Sequence, residues 1–261
     1  TVGAIKKAID GALGTHGAWL LEPYEDLAHS SGLATVSSEE LAETARLAVG
    51  HDFQLCVHAI GDRGNRETLD LYESTYSRDP ERDWRWRIEH AQHLHPNDVG
   101  RFAELGVIAS MQGVHCTSDG PWVASRLGEE RTRGGAYVWR SLLDSGAVVI
   151  NGTDTPVERV DPLASYYASV SRKMANGERF YPEQRMTREE ALRSYTLDAA
   201  YAAFEENEKG SFEVGKLADV VVLSKDLLSV AEEEIPSIEV LYTIVGGVVV
   251  YERDELLAEG G

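Results

Sequence analysis

Three side chains able to hold a divalent metal stand at or just beyond the ends of three short apolar runs: His58, His90 and Asp154. Two imidazoles and a carboxylate, with water in the fourth position, make a chemically sufficient site for Zn²⁺ or another borderline divalent ion. In the run 53–60 a strand pleat puts Gln54, Cys56 and His58 on one face and Leu55 and Val57 on the other. The run 85–91 repeats the arrangement, with Trp86, Ile88 and His90 sharing a face. In the run 147–152, Val148, Ile150 and Gly152 share a face that Asp154 continues. Metal-competent groups thus finish three strands at their C-terminal ends, the rim where (β/α)₈ barrels carry catalytic groups. His115, in Met111-Gln-Gly-Val-His115, reaches the same rim. Cys56, one layer beneath His58, reads as core filler. His16, His29 and His51 belong to loops or a helix end, and His93 and His95 to a solvated loop. Asp62, Arg63 and Arg66 shape a turn and cap the next helix.

These groups need a scaffold of alternating strands and helices. Apolar runs at 2–6, 53–60, 85–91, 107–112 and 147–152 predict parallel strands of βαβ units. Ser37-Ser-Glu-Glu40 is a capping box, followed by Leu41, Ala45 and Ala48 on one helical face. A helix over 65–76 carries Leu69, Tyr72 and Tyr76, and another over 96–105 opens with a proline. Thr187-Arg-Glu-Glu190 caps a helix holding Ala191, Leu192 and Tyr195. Residues 10–36 read as a long loop over the barrel mouth. Beyond about residue 206 the texture changes to β-branched runs at 218–224, 240–245 and 248–251, a small β module.

Composition narrows the partners. The chain has 261 residues, 44 Asp plus Glu against 25 Lys plus Arg, and a net charge of -19. Phosphate-backbone binding needs a basic face, so nucleic acid is not an expected partner. No apolar run approaches the roughly 18 residues of a membrane-spanning helix. Two cysteines build no disulfide framework, which points to a cytoplasmic setting. Acid-rich, lysine-poor surfaces suit a protein kept soluble in high salt, so stability is expected to fall when salt is lowered.

The same residues carry a family resemblance. Lys6-Lys-Ala-Ile-Asp-Gly-Ala-Leu-Gly14, Val57-His-Ala-Ile-Gly-Asp-Arg63, Ile88-Glu-His-Ala-Gln92 and Gly152-Thr-Asp-Thr-Pro156 resemble the amidohydrolase superfamily. Within it they are most similar to the YtcJ-like metal-dependent hydrolases, which include N-substituted formamide deformylase and exoenzyme regulatory proteins. Ser118-Asp-Gly-Pro-Trp122, Arg126-Leu-Gly128 and the stretch 210–223 fit as well.

The resemblance implies an α/β fold with a TIM (β/α)₈ barrel and a small β-sandwich, acting on a small amide-like substrate. It implies that Lys6 is carboxylated and bridges metal ions, that His58 and His90 are ligands, and that Asp154 binds metal and takes a proton from the attacking water. The expected cofactor is one or two divalent ions, zinc foremost. His115, Arg63 and Trp122 fall on the substrate side. Gly113 stands where the family pattern has proline, and Thr153 where serine is common.

The His-x-His pair expected at the end of a first barrel strand has no counterpart placed to serve. His93-Leu-His95 has that spacing but follows a later strand. The resemblance therefore implies strands four to eight of a partial barrel over 1–206 and the closing part of the sandwich over 207–261. Two expectations follow. The chain is part of a complete hydrolase, or it is a binding module derived from one, self-associating or paired with a chain that supplies the first half.

Overall fold

The computed structural model describes residues 3–253. Val2, at the start of the first expected strand, lies outside the described residues. Five parallel strands stand side by side in chain order: β1 (Ala4–Ala8), β2 (Gln54–Ala59), β3 (Arg87–His90), β4 (Ile108–Met111) and β5 (Val149–Asn151). Helix α1 (Ser38–Gly50) links the first two, α2 (Asp62–Tyr76) the next pair, and α3 (Pro96–Leu105) the pair after that. Between β4 and β5 run α4 (Gly113–Leu127), α5 (Glu129–Gly135) and α6 (Trp139–Ser145). Three more helices follow β5: α7 (Pro162–Ser171), α8 (Arg188–Tyr195) and α9 (Leu197–Ala202). This is the repeating β/α pattern of a partial TIM (β/α)₈ barrel.

Local signals act where the sequence places them. The Ser37 side chain accepts from the Glu40 backbone N–H, and α8 opens on a complete Thr187/Glu190 capping box. Leu41, Ala45 and Ala48 are buried on α1, and Leu69, Tyr72 and Tyr76 on α2. The helices within 113–145 and 162–171 are not expected from local signals. Pro121 lies inside α4, and its glycines weaken the periodic signal there.

Register sorts the sheet into two faces. Lys6 pairs with Cys56, Cys56 with Arg87, His58 with Glu89, and Ser110 with Ile150. Side chains adjacent across parallel strands share a face, so this face carries Lys6, Cys56, His58, Arg87, Glu89, Ser110 and Ile150. The opposite face carries Leu55, Val57, Ile88, Ala109 and Val149, all buried in one apolar core with Leu69, Tyr72, Phe102 and Leu142. Burying each larger aliphatic side chain there contributes about 1.5–3 kcal/mol.

The register corrects one expectation. Trp86 and Ile88 do not share the face of His58. They belong to the helix side, where Trp86 meets Tyr72 and Tyr76 edge-on at 5.2 and 5.7 Å.

The tail forms the expected separate sheet, antiparallel and three-stranded: β6 (Val220–Leu223), β7 (Val240–Val245) and β8 (Val248–Glu252). Gly246 and Gly247 make its tight turn at φ 56° and 80°, where side chains are disfavoured. Among the described residues, no helix is long and apolar enough to cross a membrane.

Candidate metal centre

The strands end at one mouth, and their last residues line a cavity of about 430 Å³. Lys6, His58, His90, His115, Trp122 and Asp154 all face it, together with Gln92, Asp119 and Glu158. Six of the seven residues singled out from sequence are thus brought together. Arg63 is the exception and does not line the cavity. It sits in the first turn of α2, where its guanidinium lies 4.6 Å over the Trp19 ring and 3.7 Å from Glu67. Glu67, one helical turn further along α2, and the Trp19 ring hold it outside the mouth.

His90, His115 and Asp154 converge most closely. One ligand-competent atom of each lies within 4.8 Å of the others, and His115 Nε2 is 4.0 Å from Asp154 Oδ2. The His58 ring stands edge-on to His90, with centroids 4.5 Å apart, so it borders the trio.

Different local devices deliver these side chains. His58 arrives by the strand pleat, as expected. His90 does not, because by register it follows Ile88 to the helix side. His90 and the next residue, Ala91, instead adopt φ 76° and 42°, and this left-handed turn carries the chain off the pleat at the strand end. Asp154 also has positive φ, 55°, beyond the end of β5. Such backbone costs of order 1–3 kcal/mol per residue and persists where surrounding structure holds it. His115 comes from the first turn of α4.

The hydrogen bonds fit a bound cation. His90 Nδ1 lies 2.8 Å from Gln112 Oε1, while the Gln112 amide nitrogen donates to the Ser110 carbonyl. Gln112 therefore presents its oxygen, His90 carries its proton on Nδ1, and the Nε2 lone pair is left for a metal. The Gln92 amide nitrogen lies 3.0 Å from His115 Nδ1 and donates to it; a metal at His115 Nε2 requires the other tautomer of that ring, with the Gln92 amide turned to present its oxygen. Nε2 of His115 and Nε2 of His58 are buried without any hydrogen-bond partner. Orphaned ring nitrogens beside a carboxylate fit a site built for a cation. Burial, the neighbouring His90 and Lys6 push His58 down to about 4, and burial lowers His115 as well. Both imidazoles are thus neutral near pH 7, the form that ligates metal.

Asp10 is a framing residue that the sequence patterns do not single out. It is 2% exposed and accepts backbone N–H bonds from Trp19, Ile60 and Gly61 at 2.8–3.0 Å. Its Oδ1 stands 3.5 Å from His58 Nε2, and burial pushes its carboxyl up to about 7. It ties the end of β1, the turn after β2 and the long loop into one frame around His58. An acid two residues past a strand, inside the 6–14 motif, was the available signal.

One further correction concerns the histidines, and the structure also accounts for a glycine. His93 is not solvated: it is 2% exposed, packs edge-on against Tyr137 at 5.5 Å, and burial pushes it down to about 3. His95 is only partly buried, and its ring caps α3 by accepting from the Asn97 N–H. Gly113, where the family pattern has proline, donates its N–H to Asn151 Oδ1 at 2.8 Å, a bond proline cannot make. A larger cleft of about 770 Å³, bordered by Arg140, Arg188 and Glu232, lies elsewhere and contains no histidine or cysteine.

A partial barrel whose strand ends gather histidines and an aspartate defines a metal-dependent hydrolase type of scaffold. The amidohydrolase family model matches residues 1–251, and the chain belongs to that family. It is 32% identical to the putative amidohydrolase YtcJ of Bacillus subtilis, over 96% of this chain and 47% of that protein. It is 31% identical to N-substituted formamide deformylase of Arthrobacter pascens, over 83% of this chain and 40% of that protein. An uncharacterized metal-dependent hydrolase from Pyrococcus horikoshii superposes with a TM-score of 0.80 at 31% identity, covering 89% of this chain and 46% of that one. The chain spans about half the length of the curated relatives it matches.

Proposed function

We propose that this chain carries the reactive centre of a metal-dependent hydrolase that cleaves the C–N bond of a small, non-peptide amide of the formamide type. The observation that supports it most is the convergence of His90, His115 and Asp154 within 4.8 Å at the strand ends, where His115 Nε2 has no hydrogen-bond partner. Similarity to a formamide deformylase supports the bond type.

His90, His115 and Asp154 would hold a divalent ion, zinc being well suited to this donor set, with His58 and Lys6 beside it. Lys6, if carboxylated, would supply a further carboxylate-like ligand from β1. A divalent ion held there would supply an activated water at neutral pH and polarise the scissile carbonyl. The protein's own steps are proton transfers and positioning. Asp154 takes a proton from the attacking water and delivers it to the departing nitrogen. The water oxygen joins the acyl carbon, the C–N bond breaks, and an acid and an amine leave. Gln112 and Gln92 keep the two imidazoles oriented through this cycle. Trp122 forms the substrate-side wall. Its ring packs so closely on the long loop that a Cβ on Gly14 would meet it at 3.3 Å.

The test uses the longest natural protein containing this sequence, stripped of metal by a chelator and reloaded with Zn²⁺. Metal content and hydrolysis of N-benzylformamide and N-benzylacetamide are measured together. Hydrolysis should vanish with the ion, return with it, and fall about 10²–10⁴-fold in Asp154→Asn. Turnover that survives chelation, or is unchanged in Asp154→Asn, overturns the proposal.

A further inference from the structure

The cavity continues past the metal-competent trio along one face of α4. His115, Asp119 and Trp122 stand at positions i, i+4 and i+7, which puts them on one helical stripe, and all three line the cavity. At 1.5 Å per residue, Asp119 lies about 6 Å and Trp122 about 10 Å along the axis from His115. The loop that follows Asp154 brings Glu158 to the same wall, where its Oε1 accepts from Ser118 Oγ at 2.8 Å.

The two carboxylates are unusual in this molecule. Most of its partly buried acids hold an arginine, a lysine or several backbone donors. Among the described residues, neither Asp119 nor Glu158 pairs with a cationic side chain. Asp119 has one oxygen engaged by the buried Tyr137 hydroxyl, at 2.6 Å, which fixes the carboxylate in place. Burial pushes its carboxyl up to about 6, and the Glu158 charge acts in the same direction, so a nearby cation would favour the Asp119 carboxylate. His115, 6% exposed, marks the boundary with the metal-competent end, where its Nε2 lies 4.0 Å from Asp154 Oδ2. The Trp122 indole lines the same cavity, with the Arg126 guanidinium 5.9 Å from its ring centre, and an indole near carboxylates that lack a cationic partner is a recognised environment for an ammonium group.

Resting on the amide-hydrolase reading, we propose that Asp119, Glu158 and Trp122 form a cation subsite, and that the substrates are N-acyl amines bearing a second, protonated amino group a few carbons beyond the amide. The acyl carbonyl lies at the His90–His115–Asp154 end and the ammonium group against the acidic wall. The helix spacing sets the distance between them. In the reaction, the water oxygen joins the acyl carbon, the C–N electron pair goes to nitrogen, and both water protons end on the released amine. The products are a carboxylate and a doubly protonated diamine.

The test is binding with the metal removed, so that it reads separately from turnover. N-acetyl-1,4-diaminobutane and its neutral counterpart N-pentylacetamide are titrated by calorimetry into the longest natural protein containing this sequence. The charged probe should bind at least about tenfold more tightly. Glu158→Gln and Asp119→Asn should each reduce that preference, and the double variant should abolish it while leaving the neutral probe within about threefold. Glu158→Gln leaves the Tyr137 contact intact, which separates loss of recognition from loss of folding. Equal binding of the two probes, or a preference that survives in the double variant, overturns the subsite. If the preference holds while the metal-loaded protein hydrolyses no amide, the hydrolase reading fails and the cation subsite stands.

Discussion

Gln112 holds His90 by the nitrogen that faces away from the cavity: its Oε1 lies 2.8 Å from His90 Nδ1, and its own amide group is fixed by the Ser110 carbonyl. One side chain thereby decides which tautomer of a candidate ligand meets the metal. His90 also stands at φ 76°, so the ring has left the strand pleat and depends on this contact for its direction.

The first prediction follows from that pair. Gln112→Leu keeps the side-chain bulk and removes the acceptor, so metal affinity should fall about 10–100-fold with the fold retained. Competition against a chromogenic chelator measures it. An unchanged affinity would show that packing alone orients His90.

His93 sets a pH dependence of stability. Its proton is held in the unfolded chain below the ordinary 6.5 but in the native protein only near 3, because the ring is buried. Between those values the unfolded state binds more protons, so stability falls as pH falls, by about 1.4 kcal/mol per pH unit. His58 acts in the same direction down to about 4. Asp10 and Asp119, raised to about 7 and about 6, act in the opposite direction, losing stability as pH rises. Denaturant melts of the parent and of His93→Phe from pH 7 to 4.5 isolate the one contribution. The difference between the two curves should slope by that amount, and parallel curves would contradict the buried, neutral ring.

Gly113 is the third case. A Cβ there would stand 2.2 Å from Ser169 Oγ and 2.3 Å from the Ser165 carbonyl on α7. Gly113→Ala should cost about 1–3 kcal/mol, because backbone must move. Gly113→Pro should cost more, since it also removes the N–H bond to Asn151. Urea melts give both values. The same shift would displace His115, two residues along, and weaken metal binding in step with stability.

Much of this molecule is legible in the residues themselves. Strands at 53–60, 107–112 and 147–152, the caps at Ser37 and Thr187, and the β-branched tail all rest on local signals. Alternation, capping chemistry and turn glycines act within a few residues, and those short-range terms survive folding unchanged. The candidate ligands His58, His90 and Asp154 were legible for the same reason, as polar groups finishing apolar runs.

Other parts required the whole fold. His90 was chosen from the pleat, yet the register puts Ile88 on the helix side, and a left-handed turn puts His90 at the mouth. His115 joins His90 and Asp154 because α4 starts where β4 ends, a juxtaposition of segments about 40 residues apart in the chain. The burial of His93, the frame built by Asp10 and the exclusion of Arg63 from the cavity are likewise long-range outcomes. Which elements form, and which side chains are chemically able to bind a metal, follow from propensity and periodicity, which are local. Which of those side chains meet and which are neutral follow from the packing, because distance, desolvation and field arise only when remote segments come together.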